Sequence, residues 1–196
     1  MDGLERDLVL AAKSGDRSAF KTLAETYYPR LFRMLLSMTR DEDVAMDLTQ
    51  DTFVKAIQAI EGFQMSSSFY TWLFRIGRNT ALDRFRRNKT AGIHHEYKDQ
   101  LAHGGEGTVD FPVSPSYSGD PLKQVASREA LGKVRQALDE LKPDHREIIL
   151  LREVEELTYE EIAEVVGIKV GTVMSRLFAA RRNLREVLRE RHGMSA

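Results

Sequence analysis

Apolar positions recur at three- and four-residue intervals along most of this chain, the period of helices with one buried side. LERDLVLAAKSG reads as a short helix closed by Gly15. From Asp16 to Thr39, Phe20, Leu23 and Tyr27 share one side; Pro29 kinks or restarts the helix, and Leu31, Leu35 and Met38 continue that side. Asp41 stands where it caps a third helix. There Val44, Leu48, Phe53, Ala56 and Ile57 form the apolar face and Gly62 is the expected stop. The loop EGFQMSSS follows, and a fourth helix starts near Phe69.

The period then fails. Asn88–Pro121 carries most of the prolines, a Gly-Gly pair, serines and histidines, and reads as a linker of about thirty residues, too long for an ordinary connection inside a domain. His94, His95 and His103 have no carboxylates at ligand spacing, so they read as linker rather than as a metal site. Periodicity resumes with Leu122, Val125, Leu131, Val134 and Leu138; Pro143 marks another helix start, and two shorter helices finish the chain. There is no strand alternation and no internal repeat. The expected architecture is all-α: a four-helix domain over residues 1–88, a flexible linker over 89–121 and a four-helix domain over 122–196.

Composition sharpens this picture. The 196 residues include enough Leu, Ile and Val for a core, and no cysteine, which excludes disulfides, zinc-thiolate sites and thiol nucleophiles. The acidic start MDGLERDLVL is no signal peptide, and no run is apolar enough to cross a membrane, so a cytoplasmic protein is expected. A net charge of -1 conceals local asymmetry. Residues 39–51 and 154–165 are acidic, whereas 75–89 and 169–191 are basic, and segment charge speaks about partners where the total does not.

The most specific local pattern is LTYEEIAEVVGIKVGTVMSRLFAARRNLRE. Thr158 and Glu161 have capping-box spacing. Ile162 and Val166 give a short helix its inner face, Ala163 is small where a second helix crosses, Gly167 suits the tight turn and Ile168 plugs the corner. Val173 and Leu177 seat the second helix. This is a helix-turn-helix, whose second helix enters the major groove. Its outward side offers Lys169, Thr172, Ser175 and Arg176, then Arg181, Arg182 and Arg185. First-turn residues are best placed for base edges and the later arginines for phosphates. The acidic stretch just upstream would be repelled by DNA and is expected to face solvent or a protein.

The fourth helix, FYTWLFRIGRNTALDRFRR, runs aromatics into arginines. Phe69, Leu73, Ile76 and Thr80 define a core-facing stripe flanked by Trp72, while Arg75, Arg78, Asn79 and Arg86 project to another side. Whether Tyr70 and Trp72 serve the core, an unpaired strand or both stays open at this point.

With DLTQDTFVKAI, these two segments resemble, in order and spacing, the motifs of bacterial RNA polymerase sigma factors of the extracytoplasmic-function group in the sigma-70 family. The resemblance covers roughly residues 8–88 and 122–191. It implies that Asp47, Gln50, Asp51 and Val54, which lie at i, i+3, i+4 and i+7 with Phe53 beside them, meet core polymerase. It implies that the loop residues Phe63, Gln64, Ser67 and Ser68 take a flipped −10 base. Tyr70, Trp72, Arg75, Arg78, Asn79 and Arg86 then hold the single strand, aromatic stacking contributing about 1–3 kcal/mol per base. Lys169, Gly171, Thr172, Ser175, Arg176, Arg181 and Arg182 meet the duplex −35 element. The implied activity is binding, without catalysis, cofactor or metal, and the implied partners are core RNA polymerase, promoter DNA and an anti-sigma factor, often membrane-bound.

Two departures stand out: Lys169 replaces a residue able to cap the recognition helix, and Met174 replaces a basic one. Both argue for an altered −35 preference or a weaker grip. A stand-alone helix-turn-helix regulator is the alternative, though it has no need of the aromatic–arginine helix. A nucleic-acid enzyme lacks any supporting carboxylate cluster, phosphate loop or nucleophile–base pair. Asp41, Glu42 and Asp43 read as helix-capping acids rather than metal ligands.

Overall fold

The computed structural model describes residues 3–90 and 121–193, so most of the expected linker, with its three histidines, lies outside the described residues. The N-terminal half holds α1 (Gly3–Lys13), α2 (Arg17–Thr39), α3 (Glu42–Ala59) with a closing 3-10 turn (Ile60–Gly62), and α4 (Phe69–Thr90). The C-terminal half holds α5 (Pro121–Asp139), α6 (Pro143–Ile149) running into a π turn (Leu150–Val154), α7 (Tyr159–Val166) and α8 (Val170–His192). No strand occurs among the described residues.

Local chemistry sets the helix ends. The Asp16 carboxylate accepts from the Ser18 and Ala19 amides to start α2, and the Asp41 carboxylate accepts from Val44 N to start α3. Asp41 thus serves as the expected cap. Two boundaries differ from expectation. α2 runs through Pro29 without a break, and Arg40 closes it in a left-handed conformation with φ 55°. Gly62 ends not α3 itself but the 3-10 turn that tightens its last residues.

The core of the N-terminal half gathers Leu23, Leu31, Leu35, Leu48, Phe69, Leu73 and Phe74, all fully buried. Gly77 lets α4 approach closely: a Cβ there would lie 2.8 Å from Leu31 Cδ1 and 3.5 Å from Thr52 Cγ2. In the C-terminal half, Ile148, Leu151, Ile162, Val173 and Leu177 are buried together. The halves also touch each other, chiefly where α7 lies on α4 and where α6 meets α2.

Candidate nucleic-acid interface

The helix-turn-helix is built as its spacing requires. The Thr158 hydroxyl accepts from Glu161 N at 3.2 Å and the Glu161 carboxylate accepts from Thr158 N at 2.9 Å, a complete capping box. Gly167 ends α7 at φ 75°, a left-handed conformation that side chains resist. Ile162, Val173 and Leu177 are buried between α7 and α8, and Ile168 packs partly buried at the corner. Lys169 occupies the N-cap of α8 and makes no side-chain cap bond.

On α8, Lys169, Gly171, Thr172 and Ser175 are exposed together. Arg176 is drawn back into an ion pair with Asp144 at 3.4 Å, its side chain 24% exposed. Arg181 pairs with Glu153, whose hydrogen bonds hold its guanidinium above its ordinary pKa. Arg182 remains exposed beside Glu186 at 3.9 Å. Sequence reasoning missed Phe178, 68% exposed, and gave Met174, 53% exposed, only as a lost charge. Together with Gly171, Ser175 and Arg182 they form the outward stripe of α8, at i, i+3, i+4, i+7 and i+11. The legible signal was two large apolar residues out of register with Val173 and Leu177.

Ahead of α4, Gly62, Phe63, Gln64, Ser66, Ser67, Trp72 and Arg75 line an open hollow. Lys13 Nζ holds the Phe63 carbonyl, and Met65 takes a left-handed φ of 57° at the bend. Gln64 is exposed. Phe63 and Trp72 stack at 4.8 Å, both buried, and together give the hollow its aromatic edge. Ser68 is occupied as the N-cap of α4, its hydroxyl accepting from Thr71 N at 3.0 Å.

Arg75 and Arg78 of α4 do leave the aromatic stripe, as spacing predicts, but carboxylates of the C-terminal half hold them. Arg78 donates to both oxygens of Glu147, at 2.6 and 3.3 Å, with each side chain 15% exposed. Arg75 donates to Glu164 at 2.8 Å, and Ser67 Oγ donates to the same oxygen at 3.1 Å. Thr71 Oγ1 donates to Glu161 at 2.9 Å. Asn79 and Arg86 are exposed, Arg86 lying 3.3 Å from Asp83.

Tyr70 is buried in this arrangement. Its hydroxyl donates to the Glu155 carboxylate, and the Arg30 guanidinium lies 3.6 Å from its ring centroid while donating to Glu155 at 3.1 Å. Burial and the Glu155 carboxylate push the phenol far above its ordinary pKa, so it stays a donor. Within the acidic stretch expected to face solvent or a protein, Glu153, Glu156 and Glu160 stay exposed, whereas Glu155 and Glu161 turn to α2 and α4 of the same chain. The physical reason is partner supply: Arg30 of α2 and the hydroxyls of Tyr70 and Thr71 on α4 provide what these two carboxylates need.

On α3, Asp47, Gln50, Asp51 and Val54 are exposed on one side and Phe53 is half-buried, stacked on Tyr28 at 6.2 Å. Asp47 accepts from Arg84 at 3.3 Å. Met46 and Ile57, 41% and 43% exposed, extend this stripe. Sequence reasoning had assigned Ile57 to the core face and passed over Met46. No metal-ligating cluster occurs among the described residues.

Comparison with known proteins fits both halves at once. Sigma-70 region 2 matches residues 23–91, and Sigma-70, region 4 matches residues 131–184. Along nearly its whole length, the chain belongs to the RNA polymerase sigma factors of the ECF group. It is 30% identical to the ECF RNA polymerase sigma factor SigW of Bacillus subtilis, over 97% of this chain and 100% of that one. It is 34% identical to the ECF RNA polymerase sigma-E factor of Haemophilus influenzae, over 90% of this chain and 91% of the relative. Among solved structures, CnrH in complex with the cytosolic domain of CnrY matches with a TM-score of 0.64 at 29% identity, over 94% of this chain and 97% of the other. The sigma factor RpoE of Bartonella quintana, in complex with the anti-sigma factor NepR, matches with a TM-score of 0.62 at 28% identity, over 88% of this chain and 98% of the other.

Proposed function

We propose that this protein is an alternative sigma factor that carries core RNA polymerase to a promoter and opens it. Residues 1–88 form the unit that docks on polymerase and takes the −10 element, residues 89–121 the linker, and residues 122–196 the unit that takes the −35 element. The exposed α3 stripe of Asp47, Gln50, Asp51 and Val54, edged by Phe53, mixes acid, amide and apolar groups, and suits a protein partner better than DNA.

The observation that carries the reading is the pairing of two unlike nucleic-acid surfaces in one chain. One is a hollow with serines, Gln64 and a tryptophan edge at the head of an arginine-bearing helix. The other is a helix-turn-helix whose second helix exposes small, hydroxyl and basic residues. The first suits an unstacked base read by backbone amides and hydroxyls; Gln64, Ser67, Trp72, Arg75, Arg78, Asn79 and Arg86 are its proposed contacts. The second suits the major groove of a duplex, with Lys169, Gly171, Thr172 and Ser175 toward bases and Arg176, Arg181 and Arg182 toward phosphates. Two modest contacts joined in one chain reinforce each other through effective concentration. The function is binding, not catalysis.

Two solved structures similar to this chain are complexes with regulatory partners, one of them named as an anti-sigma factor, which supports control of this chain by such a protein. No helix among the described residues is long and apolar enough to cross a membrane. The site of action is the cytoplasm, and an anti-sigma factor anchored in the membrane would hold the chain at its inner face.

Run-off transcription tests the reading. Purified protein plus core polymerase, on fragments of the source genome, should start transcripts at discrete sites that core polymerase alone ignores. Tight, sequence-specific duplex binding by the protein alone, with no polymerase-dependent transcript, would instead establish a stand-alone regulator.

A further inference from the structure

Residues 63–68, the loop ahead of α4, belong to no helix, yet their path is closely fixed. At one end Phe63 N donates to Ile60 O at 3.1 Å, and the Phe63 ring is buried against Trp72 and Phe69. At the other end Ser68 caps α4. Between them Met65, partly buried against the core, turns the chain through its left-handed φ. A residue with a side chain keeps such a conformation only where its surroundings fix the chain on both sides. One of these anchors comes from far away in sequence. Lys13, the last residue of α1, donates from Nζ to the Phe63 carbonyl across 50 positions.

The fold aims Lys13 at this loop. Val9 and Ala12 are buried and seat α1 on the domain. Lys13 follows Val9 at i+4, on the same side, so its half-buried stem runs along covered surface and its ammonium reaches the loop. Gly15, at φ 91°, then turns the chain towards α2. No carboxylate among the described residues is paired with Lys13, so this charged donor goes to the loop. The consequence follows from peptide geometry. The bond joining Phe63 to Gln64 is planar and trans, so its C=O and N–H point in opposite directions. With the carbonyl held towards α1, the Gln64 amide is directed away from α1, and Gln64 lines the hollow.

We propose that Lys13 is a positioning residue for the −10 base: by holding the Phe63 carbonyl it fixes the Phe63–Gln64 peptide, and with it the direction in which the Gln64 amide meets the base. The proposal rests on the sigma-factor reading for what the loop takes. Lys13 does not touch the base; it acts through Phe63. A donor discriminates between base edges only when it stands within about 0.5 Å of its productive position. Without the ammonium this peptide is free to turn, and the hollow accepts several bases alike. The effect therefore falls on the choice of base, not on docking to polymerase through α3 or on the duplex side of α8, neither of which Lys13 touches. The family resemblance assigns no DNA contact to α1, so this helix gains a role in specificity.

The test uses the full chain with core polymerase, on templates from one promoter whose −10 base pairs are varied in turn. At the position whose base the loop takes, the readout is the ratio of transcript from the preferred base to transcript from each of the others. Each ratio comes from a single protein preparation, so a smaller folded fraction cancels. Lys13→Met keeps the stem and loses the donor; its ratio at that position should fall about tenfold, as expected when one hydrogen bond to a base edge is lost. Ratios at other −10 positions and affinity for a duplex −35 fragment should stay as they were. Lys13→Arg restores a charged donor and should recover most of the preference. Leu10→Ala, on the exposed side of α1, should leave it intact. Full preference in Lys13→Met, or an equal loss of transcript with all bases, overturns the proposal. So does a similar loss of preference in Leu10→Ala, which would assign the effect to α1 as a whole. The two levels stay separable: no polymerase-dependent transcript from the unchanged protein overturns the sigma-factor reading, whereas transcripts whose base preference ignores Lys13→Met overturn only the role of Lys13.

Discussion

Helices α4 and α8 both carry a run of arginines, but the chain treats the two runs differently. On α4, Arg75 and Arg78 are half-buried and held by carboxylates from the other half of the molecule. On α8, Arg181 and Arg182 are paired with carboxylates of their own half and stay largely exposed, and the helix turns Met174, Ser175 and Phe178 outward. A basic helix is therefore not by itself an open nucleic-acid surface. What covers it depends on which acids can reach it, and those acids lie elsewhere in the sequence.

The largest effect should come from unseating α8 while leaving α4 alone. Leu177 is buried between α7 and α8, so Leu177→Ala should cost about 2–5 kcal/mol through lost packing and the remaining cavity. Urea unfolding followed by circular dichroism should show an early phase. The fluorescence of Trp72, the chain's one tryptophan, sits against Phe63 in the other half and should move little. A shift of equal size in both signals would mean that the halves unfold as one unit.

The paired arginines give the next contrast. Arg78→Ala strands Glu147 at a site where both side chains are 15% exposed, and should cost about 2–3 kcal/mol, short of a fully buried pair. Arg182→Ala, at a pair with both members more than half exposed, should cost under about 1 kcal/mol. Similar losses in a thermal melt would erase the distinction between the two helices.

Removing the Thr158 hydroxyl, as Thr158→Ala, should cost about 1 kcal/mol by ending the capping box at the start of α7. The effect should be smallest of all on acidification. Burial works to raise the Glu161 carboxyl, but donors from Thr158, Thr71 and Ser68 outweigh it and hold the pKa below the ordinary 4.5. The folded form thus favours the ionised carboxylate. Its contribution is present above the ordinary value and is lost as pH falls through the lower folded-state value. Unfolding midpoints should drop as pH falls below the ordinary carboxylate value, and Glu161→Gln should flatten that part of the curve.

Much of the C-terminal site was legible because its logic is local. Thr158, Glu161, Gly167, Val173 and Leu177 act on neighbours within a turn or two, and spacing alone reveals them. The aromatic stripe of α4 was legible for the same reason. The partners of Arg75, Arg78 and Tyr70 were not, since Glu164, Glu147 and Glu155 are far away in sequence and carry no periodic signal linking them to α4. Met46, Ile57 and Phe178 were missed or misplaced because an apolar residue at helical spacing is by default counted as core. Only the register of the neighbouring buried residues turns these three outward.

The occupied arginines of α4 also bear on how such a molecule travels through a cell full of DNA. Non-specific attraction to duplex grows with each cation free to displace counterions, and a genome offers about a million or more competing sites. With Arg75 and Arg78 neutralised at home, the free chain should show a shallow dependence of duplex affinity on salt. It would lose little time to random sequence and remain available in solution for polymerase.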